Sequence, residues 1–285
     1  MINFFKFALF ALLLAMSSCN ISEDIVSDEA SQSGEYEVVE FLPAPGQFVN
    51  EGYTATTMAE ACAYAQGRFE ERLFVSLGGF GGYIVVKFKT PIANSDNFNF
   101  GIYSNSFSTS SEPGIVWVAQ DANGNGVADD EWFELCGSES GKETTVQNYS
   151  VTYSRTDDET KIAWRDSEGV SGIIERNNAH KQEYFPAWVE SAEYTLTGTF
   201  LPDNAVWRDE WELPPLGWGY ADNFSNLDSS YRGPNMFRIS NARTADGEAA
   251  NLSHIDFVKV QTAMNAVHSS IGETSTEVSG FIVYN

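Results

Sequence analysis

Short runs of alternating apolar and polar residues dominate this chain. Ile84, Val86 and Phe88 fall on one side of a run whose other side carries Lys87 and Lys89, and Tyr194, Leu196 and Phe200 alternate with Thr195, Thr197 and Thr199. A period of two is the pattern of a strand with one buried face. Further strands are predicted at 36–42, 73–77, 98–103, 115–119, 132–135, 149–153, 162–164, 172–175, 236–239, 255–261 and 280–284. Helical spacing occurs at 57–72, where Met58, Ala61, Cys62, Ala65 and Phe69 recur on one face, and a short helix is predicted at 184–191. Gly78-Gly79-Phe80-Gly81-Gly82 predicts a tight strand-to-strand turn; with no helix following and no adjacent lysine it does not fit a phosphate loop. Many short strands with glycine-rich connections predict an all-β fold, a jelly-roll-like β-sandwich with one or two short helices, as a single domain over 36–285. No internal repeat interrupts it.

The first residues follow a different rule. One cation, Lys6, precedes the apolar run Phe7–Ala15, which ends in Met-Ser-Ser-Cys19. Residues 1–18 read as a secretory leader, with an apolar core too short for a stable membrane span. Small residues ending in cysteine resemble a bacterial lipoprotein signal, which makes Cys19 the expected lipidation site; a plain leader with an incidental cysteine is the alternative. Residues 19–35 are acidic and serine-rich without apolar periodicity, and read as a flexible tether. Acids soon after the lipid cysteine resemble the surface-export signal of Bacteroidota lipoproteins, so a lipid-anchored, surface-exposed place on the outer membrane is expected.

Charge narrows the partners. The chain has 16 Lys+Arg against 40 Asp+Glu, a net charge of −24, and losing the leader removes only Lys6. Such a surface repels nucleic acid and anionic headgroups but accepts cations and neutral ligands. Apolar residues make up 42% of the chain and aromatics 14%, enough for a core despite the acidity. Cys62 and Cys136 are the two cysteines left beside Cys19. They are expected to be unpaired, since Cys62 lies in a helical segment far from Cys136 in sequence, although an oxidising compartment would permit a bridge.

The stretch Asp121-Ala-Asn-Gly-Asn-Gly-Val-Ala-Asp129 reads as a calcium loop. Asp121, Asn123 and Asn125 occupy positions one, three and five, Gly126 permits the turn at six, Val127 offers a carbonyl at seven, and Asp129 stands at nine. Position twelve is Trp132 rather than a bidentate glutamate, and both flanks read as strands, so the expectation is a metal-stapled connection rather than a helix–loop–helix sensor. A polar hairpin with Asn-Gly turns and no ion is the alternative.

A second candidate is the excursion at 202–234, which has weak strand character but holds Trp207, Arg208, Trp211, Trp218, Tyr220 and Asn223. Long loops in compact domains are usually functional or disordered, and this aromatic content argues against disorder. Ring faces beside polar groups suit a sugar or a large flat ligand, which makes these six residues the expected ligand surface; rings that merely close one end of the sandwich are the alternative.

Catalytic signals are weak. His180, His254 and His268 are isolated, and no His-Glu-x-x-His or Gly-x-Ser-x-Gly occurs. Two carboxylates of a glycosidase cannot be singled out among forty acids. A non-enzymatic role is expected.

Several segments together carry a family resemblance: Leu77-Gly-Gly-Phe-Gly-Gly-Tyr-Ile-Val-Val-Lys-Phe88, Phe100-Gly-Ile-Tyr-Ser-Asn-Ser-Phe107, Ser111-Glu-Pro-Gly-Ile-Val-Trp-Val118, the Asp121 loop with Trp132-Phe-Glu-Leu135, Phe237-Arg-Ile-Ser-Asn-Ala242 and Ile255-Asp-Phe-Val-Lys-Val-Gln-Thr262. Over about residues 36–285 the chain resembles a family of Bacteroidota cell-surface lipoproteins with a jelly-roll domain. Longer members add an immunoglobulin-like domain that is not expected here. Several members are associated with corrinoid (vitamin B12) uptake loci beside an outer-membrane receptor. The resemblance implies capture of a nutrient ligand, a corrinoid first, for import through an outer-membrane transporter; a calcium-stabilised carbohydrate-binding or adhesion module on a lipid tether is the alternative.

Overall fold

The alternation at Ile84, Val86 and Phe88 belongs to the second strand of a six-stranded antiparallel sheet. It is seen in a computed structural model that describes residues 35–229, 233–269 and 271–284. The leader 1–18, the lipidation candidate Cys19 and the tether through residue 34 lie outside the described residues. From edge to edge the sheet runs Tyr36–Leu42, Tyr83–Ala93, His254–Thr262, Gly114–Ala119, Trp132–Leu135 and Ala242–Arg243. Register sets one face: Ile84 pairs with Val260 and Val260 with Val116, while Val86 pairs with Val258 and Val258 with Val118. All six side chains are buried.

That face packs against a three-stranded sheet, Asn235–Phe237, Phe100–Tyr103 and Gly280–Val283, and against one helix. Phe100, Ile102, Phe237 and Phe281 come from the smaller sheet, and Ala61, Ala65 and Phe69 from the helix. The helix spans Met58–Glu70 and begins on a reciprocal cap, in which Thr57 Oγ1 accepts from Glu60 N at 3.2 Å and Glu60 Oε2 accepts from Thr56 N at 2.8 Å. One orphan donor of the first turn and the backbone N–H just before the cap are thereby satisfied. The all-β sandwich is the observed fold.

A separate four-stranded sheet, Glu193–Phe200, Val146–Arg155, Lys161–Asp166 and Ser171–Glu175, has its own core of Tyr149, Val151, Tyr153 and Leu196 against Phe80 and Phe185. Phe80 is the apex of the glycine-rich turn, and Tyr153 Oη donates to its carbonyl at 2.9 Å. The turn admits only glycine at its closest approaches. A Cβ at Gly78, which has φ +68, would collide with the carbonyl oxygen of Ala44, and one at Gly82 would collide with that of Leu77.

Several sequence expectations need correction. No helix forms at 184–191, where Phe185 precedes Pro186 and is disfavoured in the helical region. Instead Tyr184 and Phe185 are buried in the second core. The strand expected at 73–77 shrinks to Val75–Ser76, and the excursion contains a two-residue-per-arm hairpin, Val206–Trp207 with Trp211–Glu212. Cys62 and Cys136 are both free thiols, as expected. Among the described residues no helix is long and apolar enough to cross a membrane.

Candidate functional site

The opposite face of the six-stranded sheet is where chemistry collects. Cross-strand pairing puts Glu40 beside Val85, Val85 beside Lys259, Lys259 beside Trp117, Trp117 beside Glu134 and Glu134 beside Arg243. One row thus crosses all six strands with alternating charge and a ring in its middle. Paired residues on one face lie close enough to act together. In the flanking rows Tyr83 pairs with Gln261, and Trp132 with Ala119.

Lys259 sits at the centre. Its ammonium lies 5.0 Å from the Trp117 ring, 5.2 Å from Trp132 and 5.7 Å from Tyr83, within range of a cation–π attraction to each. Among the described residues it takes part in no ion pair. Burial lowers its pKa to about 8, against the opposing pull of Glu40 and Glu134. Glu134 is itself pushed above the usual carboxylate range by burial, although its Oε2 accepts from Thr199 Oγ1 at 2.5 Å.

Strand Glu193–Phe200 faces this row, and a groove remains between the sheets. It comprises two adjoining cavities of about 460 and 390 Å³, both lined by Lys259, Trp132 and Thr197. The larger adds Trp117, Glu134, Arg243, Gln147 and Asn148, and the smaller adds Tyr83 and Gln261. Two polar atoms on its walls are enclosed without partners: the indole nitrogen of Trp117 and Oε1 of Gln261. Unpaired enclosed donors and acceptors are costly, so such atoms mark places where a ligand or water completes the bonding. Rings, one caged cation and amide and hydroxyl groups in a concave cleft are the composition of a small-molecule site.

The excursion does not form one surface. Tyr220 is 1% exposed, packs with Ile115, Leu201 and Met264, and its hydroxyl accepts from Glu139 N at 2.8 Å. Asn223 is fully buried and is spent on the backbone: Oδ1 accepts from Leu216 N at 2.8 Å, and Nδ2 donates to Leu216 O at 3.2 Å. Both are structural plugs, which corrects their assignment to an open ligand surface. Trp218 lines a different cavity beside Asp228 and Met236. Trp207, Arg208 and Trp211 stay together on the hairpin. Trp207 is exposed and meets Trp211 edge-on at 5.4 Å, Trp211 lies 4.5 Å from His268, and Arg208 is 3.9 Å from Glu212.

In the Asp121 loop Gly124 and Gly126 take positive φ. Asp121 Oδ2 accepts from Gly126 N at 2.9 Å, and Asp121 Oδ1 is enclosed without a partner. Asn123 and Asn125 turn their amide nitrogens toward Asp129, which holds its pKa down, and their oxygens accept from Asn125 N and Val127 N. Asp121, Asn123, Asn125, the Val127 carbonyl and Asp129 are oxygen donors of the kind a hard cation takes, and Asp121 Oδ1 is the one without a partner, but the two asparagine oxygens are spent on backbone N–H groups here. One neighbour opposes it: Lys87 Nζ donates to Gly126 O at 3.0 Å and lies 3.8 Å from Asp121 Oδ2.

No protein-family model matches the chain, and no curated protein is similar to it.

Sequence reasoning missed the groove. Its one visible signal is Lys259, a cation inside the apolar run Phe257-Val-Lys-Val260.

Proposed function

We propose that this protein is a non-enzymatic binding protein, tethered by a lipid on Cys19 to the outer surface of an outer membrane, and that it captures a nutrient ligand in the groove around Lys259 for delivery to an outer-membrane transporter. The observation that carries this reading is the Lys259 ammonium. It is held by three aromatic rings at the floor of an open cleft, without a carboxylate partner among the described residues. A cation placed so offers its hydrogens to an acceptor from outside.

A corrinoid is the first ligand proposed, consistent with the family resemblance. It combines a broad, partly apolar ring, amide arms and a phosphodiester, which are matched by Trp117 and Trp132, by Gln147 and Asn148, and by Lys259 and Arg243. A glycan is the second, favoured by the hydroxyl and amide wall of Thr197, Thr199, Gln147 and Asn148 beside the two tryptophans. In either case the Asp121 loop holds calcium in a structural role, with Asp121, Asn123, Asn125, Val127 and Asp129 as its ligands. Calorimetric titration with cyanocobalamin and with a panel of host and plant glycans tests the reading. Saturable binding that Lys259→Met and Trp117→Ala weaken supports the groove. Binding of every ligand at wild-type strength by both variants removes it.

A further inference from the structure

Away from the groove, three acids from distant parts of the chain meet inside the molecule. Glu112 precedes strand Gly114–Ala119, Asp222 lies within the excursion just past Tyr220, and Glu277 opens the short strand Glu277–Val278. One carboxylate oxygen from each lies within 4.8 Å of the other two, and among the described residues no other three-acid group converges in this way. Asp222 is 1% exposed and Glu277 3%. None of the three takes part in an ion pair among the described residues.

The backbone holds the acids in place. Glu112 N donates to Asp222 O at 3.0 Å, Glu277 N donates to Asp222 Oδ2 at 2.9 Å, and Ser275 N donates to Glu112 Oε1 at 2.9 Å. These bonds leave Asp222 Oδ1 enclosed with no partner. A buried carboxylate with one unpartnered oxygen, within 4.8 Å of two further carboxylates, is satisfied by a proton or by a metal.

We propose that Glu112, Asp222 and Glu277 form a buried cation site that takes a divalent ion of calcium type. All donors are carboxylate oxygens, the hard ligands that Ca²⁺ and its relatives prefer over softer metals. The ion ties three segments together: the approach to strand Gly114–Ala119, the excursion at Asp222, and the strand at 277–278. It thereby fastens the excursion to the sandwich through the same stretch in which Ala221 bridges Gly114. The site is distinct from the Asp121 loop and does not depend on the function of the groove.

The test is calcium binding by the full-length chain, stripped of metal and titrated by equilibrium dialysis, with terbium luminescence as a second probe. Asp121→Ala isolates the buried site. The expected result is one calcium per chain in Asp121→Ala and a loss of at least tenfold in affinity when Glu277→Gln is added. In the otherwise wild-type chain, Glu277→Gln removes one calcium equivalent. Its calcium-dependent gain in melting temperature shrinks. If Asp121→Ala does not fold, the wild-type and Glu277→Gln stoichiometries decide. The proposal is overturned if Asp121→Ala binds no calcium, or if Glu277→Gln leaves stoichiometry and the calcium-dependent melting shift unchanged. Failure of the loop alone looks different: Asp121→Ala then keeps the full wild-type stoichiometry, and Glu277→Gln abolishes it.

Discussion

The Lys259 ammonium lies 5.0 Å from the centre of the Trp117 ring, and the two residues are direct cross-strand partners. The pairing fixes the ring beside the charge. Burial lowers the lysine pKa to about 8 while the ordinary value is 10.5, so the charge is lost at a pH where other lysines keep theirs. Two opposite pH effects are expected. Ligand affinity falls as pH rises through about 8, because the free ammonium no longer donates as a cation. Stability rises over the same interval and toward the ordinary lysine value, because the unfolded chain holds a proton that the folded chain has released. Lys259→Met binds weakly at all pH values and loses both trends. Titrations and urea midpoints at about pH 7 and about pH 9 check this; a wild-type affinity that stays flat across the interval excludes the lysine from binding.

Aromatic truncation separates the groove from the hairpin. Trp117→Ala and Trp132→Ala are expected to lower affinity by about tenfold or more, a loss of about 1.4 kcal/mol or more, as truncated anchors do. Trp207→Ala removes an exposed ring and should change stability by no more than about 0.5 kcal/mol while leaving groove binding intact. Binding lost in Trp207→Ala and kept in Trp117→Ala would move the site to the hairpin. Isothermal titration together with thermal melting of the three variants makes the comparison.

The sheets were legible in the chain because a period of two survives wherever one face is buried, as at Ile84, Val86 and Phe88. The helix was legible from Ala61, Ala65 and Phe69, and the turns at Gly124 and Gly126 from glycine spacing. The groove was not legible, because Glu40, Lys259, Trp117 and Arg243 come together only through register, which a single strand does not encode. Depth was equally hidden. Trp207 and Tyr220 belong to one aromatic stretch, yet one is exposed and the other buried, because the chain turns back into the sandwich at Gly219. Glu112, Asp222 and Glu277 are three of forty acids, with nothing in their neighbourhoods to single them out.

Asn223 should behave as a structural residue. Its amide spans the excursion by bonding both backbone groups of Leu216, and its own carbonyl accepts from Asn235 Nδ2 at 2.6 Å. Asn223→Ala leaves the Leu216 groups without those partners, at an expected cost of about 2–3 kcal/mol in stability. Ligand affinity of the folded fraction should be unchanged. Denaturant unfolding measures the first effect and titration below the melting point the second; a variant of wild-type stability with weakened binding would return Asn223 to the ligand surface.

Glu273 gives the fold an acid-side bias. It is 3% exposed, its Oε1 accepts from Gln47 N at 2.6 Å, and burial raises its pKa to about 7. The folded state therefore binds the proton more tightly than the unfolded chain does. Its contribution is fully present below the ordinary glutamate pKa of about 4.3 and disappears as pH rises through about 7. Glu273→Gln should flatten the decline in urea midpoint between about pH 5 and about pH 8. An undiminished slope in the variant would place the titration elsewhere.

Lys87 supplies the sharpest test of the Asp121 loop. Its ammonium donates to Gly126 O and stands 3.8 Å from Asp121 Oδ2, so the carboxylate that would greet a cation already faces one. At such a separation a unit charge is worth about 1 kcal/mol in water-like surroundings and several times that under partial burial. The lysine side chain is 31% exposed and that of Asp121 17%, so the solvent-screened end of the range is the relevant one. Lys87→Met keeps the stem that packs by Phe257 and removes the charge. If the loop binds calcium, this variant should bind it about fivefold more tightly or better. It should also show a larger melting shift on adding calcium, since binding to the native state alone stabilises by mass action. Asp121→Ala should abolish that gain when combined with Lys87→Met. A hairpin without an ion predicts the reverse pattern: Lys87→Met then only loses the bond to Gly126 O, melts lower with or without calcium, and leaves the calcium titration unaltered.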